Sequence, residues 1–178
     1  MKLKGKNVHI LIADGYHEHE FWFPYYRFLE EGAEVTVFAP GAGILYGEGR
    51  HGKDGLEAKA DKAISDLPQE LPDILFLPGG IYGPLALRSM VEVQKYVKRC
   101  MDAGVLVCSI CHAPWILVSA DAVRGKIISA PEDIAPDIIG AGGKYTVDKV
   151  SLDGNLLSAE YFAYLPQMFQ VLFTRCFQ

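Results

Sequence analysis

Short apolar runs separated by amphipathic stretches recur along this chain, and their spacing divides strands from helices. Residues 8–14, VHILIAD, form one such run, and residues 34–40, EVTVFAP, alternate β-branched with polar positions. Between them HEHEFWFPYYRFLEEG has helical spacing and closes at Gly32, a residue type that ends helices. Pro24 inside that pattern predicts a kink or a restart. Residues 41–72 are rich in glycine and charge, with short strands expected at ILYGEG and LEAKAD. DILFLPGG (73–80) reads as a buried strand ending in a glycine pair, residues 84–103 as a helix, and VLVCSI (105–110) as another buried strand. HAPWILVSADAV then reads as a helix with Pro114 in its first turn, where a missing N–H costs nothing. RGKIISA, a helical PEDIAPDIIGAG, strands at KYTVDKVSLDG and NLLSAE, and a helix from about Ala163 complete the chain. Strands alternating with helices predict an α/β fold, a mostly parallel sheet with helices on both faces. Ligand sites of such sheets lie beyond the carboxyl ends of central strands, here LFLPGG and VLVCSIC.

At 178 residues the chain is expected to be a single domain spanning 1–178, with 50% hydrophobic and 22% charged residues. A net charge of −5 gives no footprint for nucleic acid. No apolar run approaches the ~18 residues that span a membrane, and MKLKGKNVHILIAD lacks the long apolar core and cleavage site of a signal peptide. A cytoplasmic protein is therefore expected, with its four cysteines reduced.

The chemistry concentrates in CSICH, residues 108–112. C-x-x-C-H is a haem c attachment pattern, but Cys108 follows VLV inside a buried strand, where no haem could be attached. A dithiol pair also fails, because residues three apart on a strand face opposite ways. Cys108 reads as a small buried hydrophobe. Cys111 stands where a buried strand turns into a helix, the setting of a nucleophile elbow. Its sulfur then faces the helix N-terminus, which favours thiolate, and the His112 N–H can donate to a developing oxyanion.

VLVCSICHAPWILVSADAVRGK resembles the nucleophile segment of the ThiJ/PfpI superfamily, which includes PfpI-type proteases, glyoxalase III enzymes and deglycases. ILIADGYHEHEFWFPYYRFLEEGAEV resembles the family's first strand, acidic turn and proline-containing helix, and DILFLPGG its strand ending in P-G-G. The similarity runs from about residue 7 to the last helix. It implies a flavodoxin-like three-layer α/β/α sandwich, a homodimer or larger homo-oligomer, and no cofactor. Residue by residue, it implies Cys111 as nucleophile with His112 beside it, Glu20 as the buried acid that hydrogen-bonds the cysteine, and Gly80 with His112 as oxyanion donors. A protonated Glu20 would relieve the repulsion between carboxylate and thiolate and stabilise a sulfinate.

Two family features are missing. Leu85 stands near the place of the acid that follows P-G-G in the proteases, and S-A-E-Y-F-A-Y-L replaces a T-S-R-x-P-x-D-L-like stretch, with Glu160 for arginine and Tyr164 for aspartate. Glu18, Glu160 or a partner subunit is left to orient His112. His17 occupies a position that carries a second acid in some relatives. With Glu20, and His51 as a third ligand, it could also be read as a metal site; a solvated rim is the expected role, with no metal. Trp115 either lines the pocket or packs. The function expected is a cofactor-free cysteine enzyme acting on a small carbonyl or other electrophile. A PfpI-type peptidase or amidase is the second reading, and a non-enzymatic, redox-responsive protective protein the third.

Overall fold

Strands buried on both faces form wherever the apolar runs predict them. In the computed structural model, which describes residues 1–52 and 54–177, the chain runs β1 (Asn7–Leu11), α1 (Glu18–Glu30), β2 (Glu34–Ala39), β3 (Gly43–Tyr46), β4 (Glu57–Ala60), β5 (Lys62–Ala63) and β6 (Ile74–Leu77). It continues through α2 (Tyr82–Arg88), α3 (Val91–Asp102), β7 (Leu106–Ile110), α4 (Pro114–Ser119), β8 (Ile127–Ser129) and α5 (Ala135–Gly140). β9 (Lys144–Thr146), β10 (Val150–Asp153), β11 (Leu156–Ala159) and α6 (Leu165–Val171) complete it. Seven strands make one sheet in the order β10-β11-β7-β6-β1-β2-β5, parallel except where β10 meets β11.

The period-two geometry of a strand sorts its residues between two cores. Val8, Ile10, Ile74, Phe76, Cys108, Ile110 and Leu157 face a core completed by Phe21 and Phe28 of α1 and Phe169 of α6. Leu11, Leu75, Leu77, Val107 and Leu156 face the other, with Leu87, Val97, Ile116 and Ile138 from α2, α3, α4 and α5. The result is the three-layer sandwich expected. Phe28 packs on Phe76 and Phe169 at centroid distances of 5.6 and 5.2 Å, tying α1, β6 and α6 together.

Three local expectations are corrected. The helix expected over 84–103 is two helices, because Met90 takes extended backbone (φ −91°, ψ 119°) and the Arg88 carbonyl accepts from the Gln94 side chain at 2.7 Å. No glycine or proline marks that break. The helix after Cys111 ends at Ser119, where Asp121 takes the left-handed conformation (φ 49°) usually left to glycine. α1 runs unbroken through Pro24. The ring only removes the donor for the Glu20 carbonyl.

The sheet's far edge is finished economically. β5 pairs only Lys62 and Ala63 with Phe38 and Ala39. Beside it, the Asp61 N–H donates to the Val37 carbonyl at 2.9 Å and its carboxylate accepts the Val37 N–H at 2.9 Å. One side chain thus completes the hydrogen bonding that a longer strand would supply.

Candidate active site

Parallel strands deliver the site's backbone to one sheet end. The Cys111 N–H donates to the Ala159 carbonyl at 3.1 Å, extending the β7–β11 pairing one residue beyond β7. Cys111 then turns into left-handed backbone, φ 57°, a conformation costly for a residue with a side chain. That turn is the elbow, and α4 starts three residues later at Pro114. Gly79 and Gly80 follow β6 on the adjacent strand. A side chain at Gly79 would lie 2.6 Å from the Cys111 Cβ and 2.5 Å from a Glu20 carboxyl oxygen, so only glycine lets the three segments meet.

Glu20, in the first turn of α1, is completely buried. Its carboxyl accepts the Gly79 N–H on Oε2 at 3.0 Å, while Oε1 is buried with no hydrogen-bond partner, beside Cys111 and the Phe162 backbone. Burial pushes it up to about 8, against the pull of those neighbours, and Glu48 adds to the rise. At neutral pH Glu20 is a neutral acid beside the sulfur. The Cys111 thiol is itself pushed up, by burial first and by the Glu20 charge second, while the Gly80 and His112 N–H groups at the sulfur oppose this. The thiolate expected from a helix dipole is therefore outweighed by desolvation. A proton acceptor is in place instead. The Cys111 Sγ lies 3.2 Å from Nδ1 of His112, and the His112 Nε2 lies 3.0 Å from an Asp133 carboxylate oxygen. With the proton on Nε2, the ring donates to Asp133 and leaves Nδ1 free to take the thiol proton.

Asp133 is the residue the sequence did not reveal. It rides a short 3₁₀ turn, Glu132–Ile134, ahead of α5, and supplies from within the chain the carboxylate that orients His112. Neither Glu18 nor Glu160 does so. Glu18 accepts the Gly49 N–H at 2.9 Å and braces a glycine-rich loop, and Glu160 pairs with Lys149 at 2.5 Å. Trp115 packs its ring 4.9 Å from that of His112 and donates its indole N–H to Asp137 at 2.8 Å, holding the imidazole from the side. The His17 N–H donates to the Gly79 carbonyl at 3.1 Å, and its ring stacks on Phe162 at 5.0 Å. Burial and the neighbouring His19 hold that imidazole below its usual range, against Glu18. His51 is exposed and near Asp54, 3.9 Å away. Among the described residues no group of three metal-ligating side chains converges. A cleft of ≈470 Å³ lined by His112, Pro131, Glu132, Asp133 and Tyr161 opens onto the imidazole. Glu48, equally unforeseen, has its carboxyl pushed up by burial against the pull of the Ile81 N–H beside the glycine pair.

A nucleophile elbow at the end of a central strand, inside an α/β/α sandwich, defines a class of cysteine-centred proteins. The DJ-1/PfpI family model matches residues 6–174, and the chain belongs to that family. It is 35% identical over 152 residues to a deglycase of Pyrococcus abyssi, covering 85% of this chain and 88% of the relative. It is 31% identical over 153 residues to protein/nucleic acid deglycase 2 of Escherichia coli, covering 86% and 87%. Among solved structures, a two-domain protein from Anabaena variabilis with DJ-1/ThiJ/PfpI-like and ferritin-like domains superposes with a TM-score of 0.88 at 28% identity. That match covers 96% of this chain and 50% of the larger protein.

Proposed function

We propose that this chain is a cofactor-free, cysteine-dependent enzyme acting on small carbonyl electrophiles, a reading supported by its similarity to proteins named deglycases. The observation that carries this reading is one connected network of Glu20, Cys111, His112 and Asp133 closed by two backbone donors. In it the thiol proton passes to Nδ1 of His112, the sulfur adds to an aldehyde carbon, and the carbonyl π pair moves onto oxygen. The Gly80 and His112 N–H groups receive that oxyanion. For an α-oxoaldehyde, His112 returns the thiol proton to the oxyanion. It then takes the former aldehyde C–H proton and delivers it to the neighbouring carbonyl carbon, as the hydroxyl proton shifts to that carbonyl's oxygen, leaving a thioester. Water hydrolyses it to the α-hydroxy acid, so substrate and water balance product with no external oxidant or reductant. The test is turnover of methylglyoxal to lactate by the parent and by Cys111→Ala, with mass spectrometry for a sulfur-bound intermediate. Turnover that survives Cys111→Ala overturns the reading.

A peptidase or amidase is the second reading, favoured by the thiol–imidazole–carboxylate order that Asp133 completes. An acyl-enzyme from an activated ester, without carbonyl turnover, would select it. Neither product, together with ready sulfinate formation at Cys111, would select the redox-responsive role. The proposal extends to the whole chain as one domain, since the family match is continuous. It places the protein in a reducing cytoplasm, a setting that suits its free thiols. Self-association is proposed at α1, where Trp22, Phe23, Tyr26 and Leu56 line an apolar groove bordered by Glu18 and His19. Among the described residues no helix is long and apolar enough to cross a membrane.

A further inference from the structure

The loop between β3 and β4 brings a carboxylate to the site from an unforeseen direction. The Glu48 N–H donates to the Tyr16 carbonyl at 2.8 Å. On either side, the Gly47 N–H donates to the Leu56 carbonyl at 2.9 Å and the Gly49 N–H to Glu18 at 2.9 Å. A Cβ at Gly47 would stand 2.6 Å from the Glu18 carboxyl carbon, so the loop lies flat on that side chain. Held in this way, the Glu48 carboxyl is pushed up by burial and by Glu18, while the Ile81 N–H favours its charged form. The Gly79 N–H donates to Glu20 at 3.0 Å, and the next N–H, that of Gly80, favours the Cys111 thiolate. A Cβ at Gly80 would lie 3.1 Å from the carbonyl carbon of Tyr16, whose oxygen accepts the Glu48 N–H, so the loop abuts this turn and the Glu48 charge acts on Cys111, Glu20 and His112 alike. Glu132 and Asp133 line the cleft that opens onto His112. Two basic side chains near the site are engaged elsewhere: Lys149 pairs with Glu160, and Arg88 donates to Ser119 at 2.9 Å while lying 5.8 Å from the Trp115 ring centroid.

We propose that Glu48 is a specificity-determining residue: it makes the Cys111 site accept neutral or amine-bearing carbonyl compounds and reject those carrying a carboxylate. This rests on Cys111 being the nucleophile of the proposed function. Addition to a carbonyl already creates an oxyanion at the Gly80 and His112 donors. A second negative charge on the substrate meets Glu48 there with little water between, whereas an ammonium group is attracted.

Alkylation tests this without any turnover. The Cys111 sulfur forms a bond to carbon, the halide leaves, and the thiol proton goes to His112 and then to solvent. Rate constants for labelling Cys111 by iodoacetamide, iodoacetate and 2-bromoethylammonium at pH 8 are divided by those of 2-mercaptoethanol. The expected order is cationic, neutral, anionic, with the amide-to-acetate ratio roughly tenfold above the reference thiol. Glu48→Gln, which keeps the side chain's size but not its charge, should lower that ratio about threefold. Salt at ~1 M, where screening acts within about 3 Å, should compress it in the parent. A parent ratio equal to that of the reference thiol overturns the proposal, as does one unmoved by Glu48→Gln. If Glu48→Gln fails to fold, Glu48→Ser, which also removes the charge, is read in its place by the same criterion. Selectivity without methylglyoxal turnover would instead sink the proposed function and leave the charge assignment standing.

Discussion

At Glu20 one proton governs the nucleophile. The carboxyl is neutral below its raised value of about 8, which leaves its unpartnered Oε1 able to carry a proton towards the sulfur, and above that pH its charge raises the thiol further. The rate of Cys111 alkylation should therefore climb less steeply than thiolate formation alone predicts once pH passes about 8. Glu20→Gln keeps a donor without titrating and should lose that inflection. Glu20→Leu removes that donor, worth about 1.5–3 kcal/mol to a charged partner, and should raise the thiol pKa by roughly one to two units. Identical pH–rate profiles for all three proteins would mean Glu20 does not act on the sulfur. Asp133→Asn keeps the size of the His112 partner but not its charge, and turnover should fall about a hundredfold with the circular dichroism spectrum unchanged. Partial recovery in Asp133→Glu would tie the loss to the carboxylate. Cys111 and His112 were legible in the sequence because they adjoin each other at a strand end. Asp133 was not, since its contact spans 21 residues and depends on how the chain returns through β8.

Among the elements, the turn after β6 bears the tightest constraint. Gly80 has φ 91°, and a Cβ there would lie 2.7 Å from the Gly15 carbonyl oxygen and 2.8 Å from the His17 nitrogen. Gly80→Ala should cost on the order of 1–3 kcal/mol from backbone conformation alone, visible as a lowered melting temperature together with slower Cys111 alkylation. A variant that melts with the parent would show that the turn relaxes freely. Strands β1, β6 and β7 were readable because parallel strands covered on both faces spell continuous apolar runs, and β2 because its β-branched positions alternate with polar ones. Helix ends were not. The extended Met90 and the left-handed Asp121 break helices with residues that carry no breaker signal, and β5 is too short to leave a pattern.

Over the whole molecule, two buried groups set opposite slopes of stability against pH. His9 lies inside β1 with Nδ1 2.6 Å from the Tyr96 hydroxyl, and burial, aided by Lys62, pulls it down to about 4. The fold holds it neutral, so its contribution is complete above the unfolded value of 6.5 and is lost as pH falls towards 4. Glu20 runs the other way. Its folded value is raised from 4.5 to about 8, so its contribution is complete below 4.5 and is lost as pH rises through 8. Between about pH 4.5 and 6.5 the two slopes cancel, so urea midpoints should be nearly level there and fall as pH rises from 6.5 to 8. His9→Gln should replace that level stretch by a steady fall from about pH 4.5 to 8, and a stretch that stays level in the variant would assign the balance to other groups. The same economy governs how copies of the chain meet in concentrated solution. Asp61 occupies the hydrogen-bonding positions of β2 at Val37 that β5 leaves open, and it does so with a charge. An edge closed in this way offers no template for strand addition by another copy. Asp61→Val would free the Val37 N–H and place a β-former beside it, at a stability cost of about 1 kcal/mol. Its signature should be colloidal rather than thermal: light scattering that grows with protein concentration well below the melting point, from a chain that otherwise folds as before.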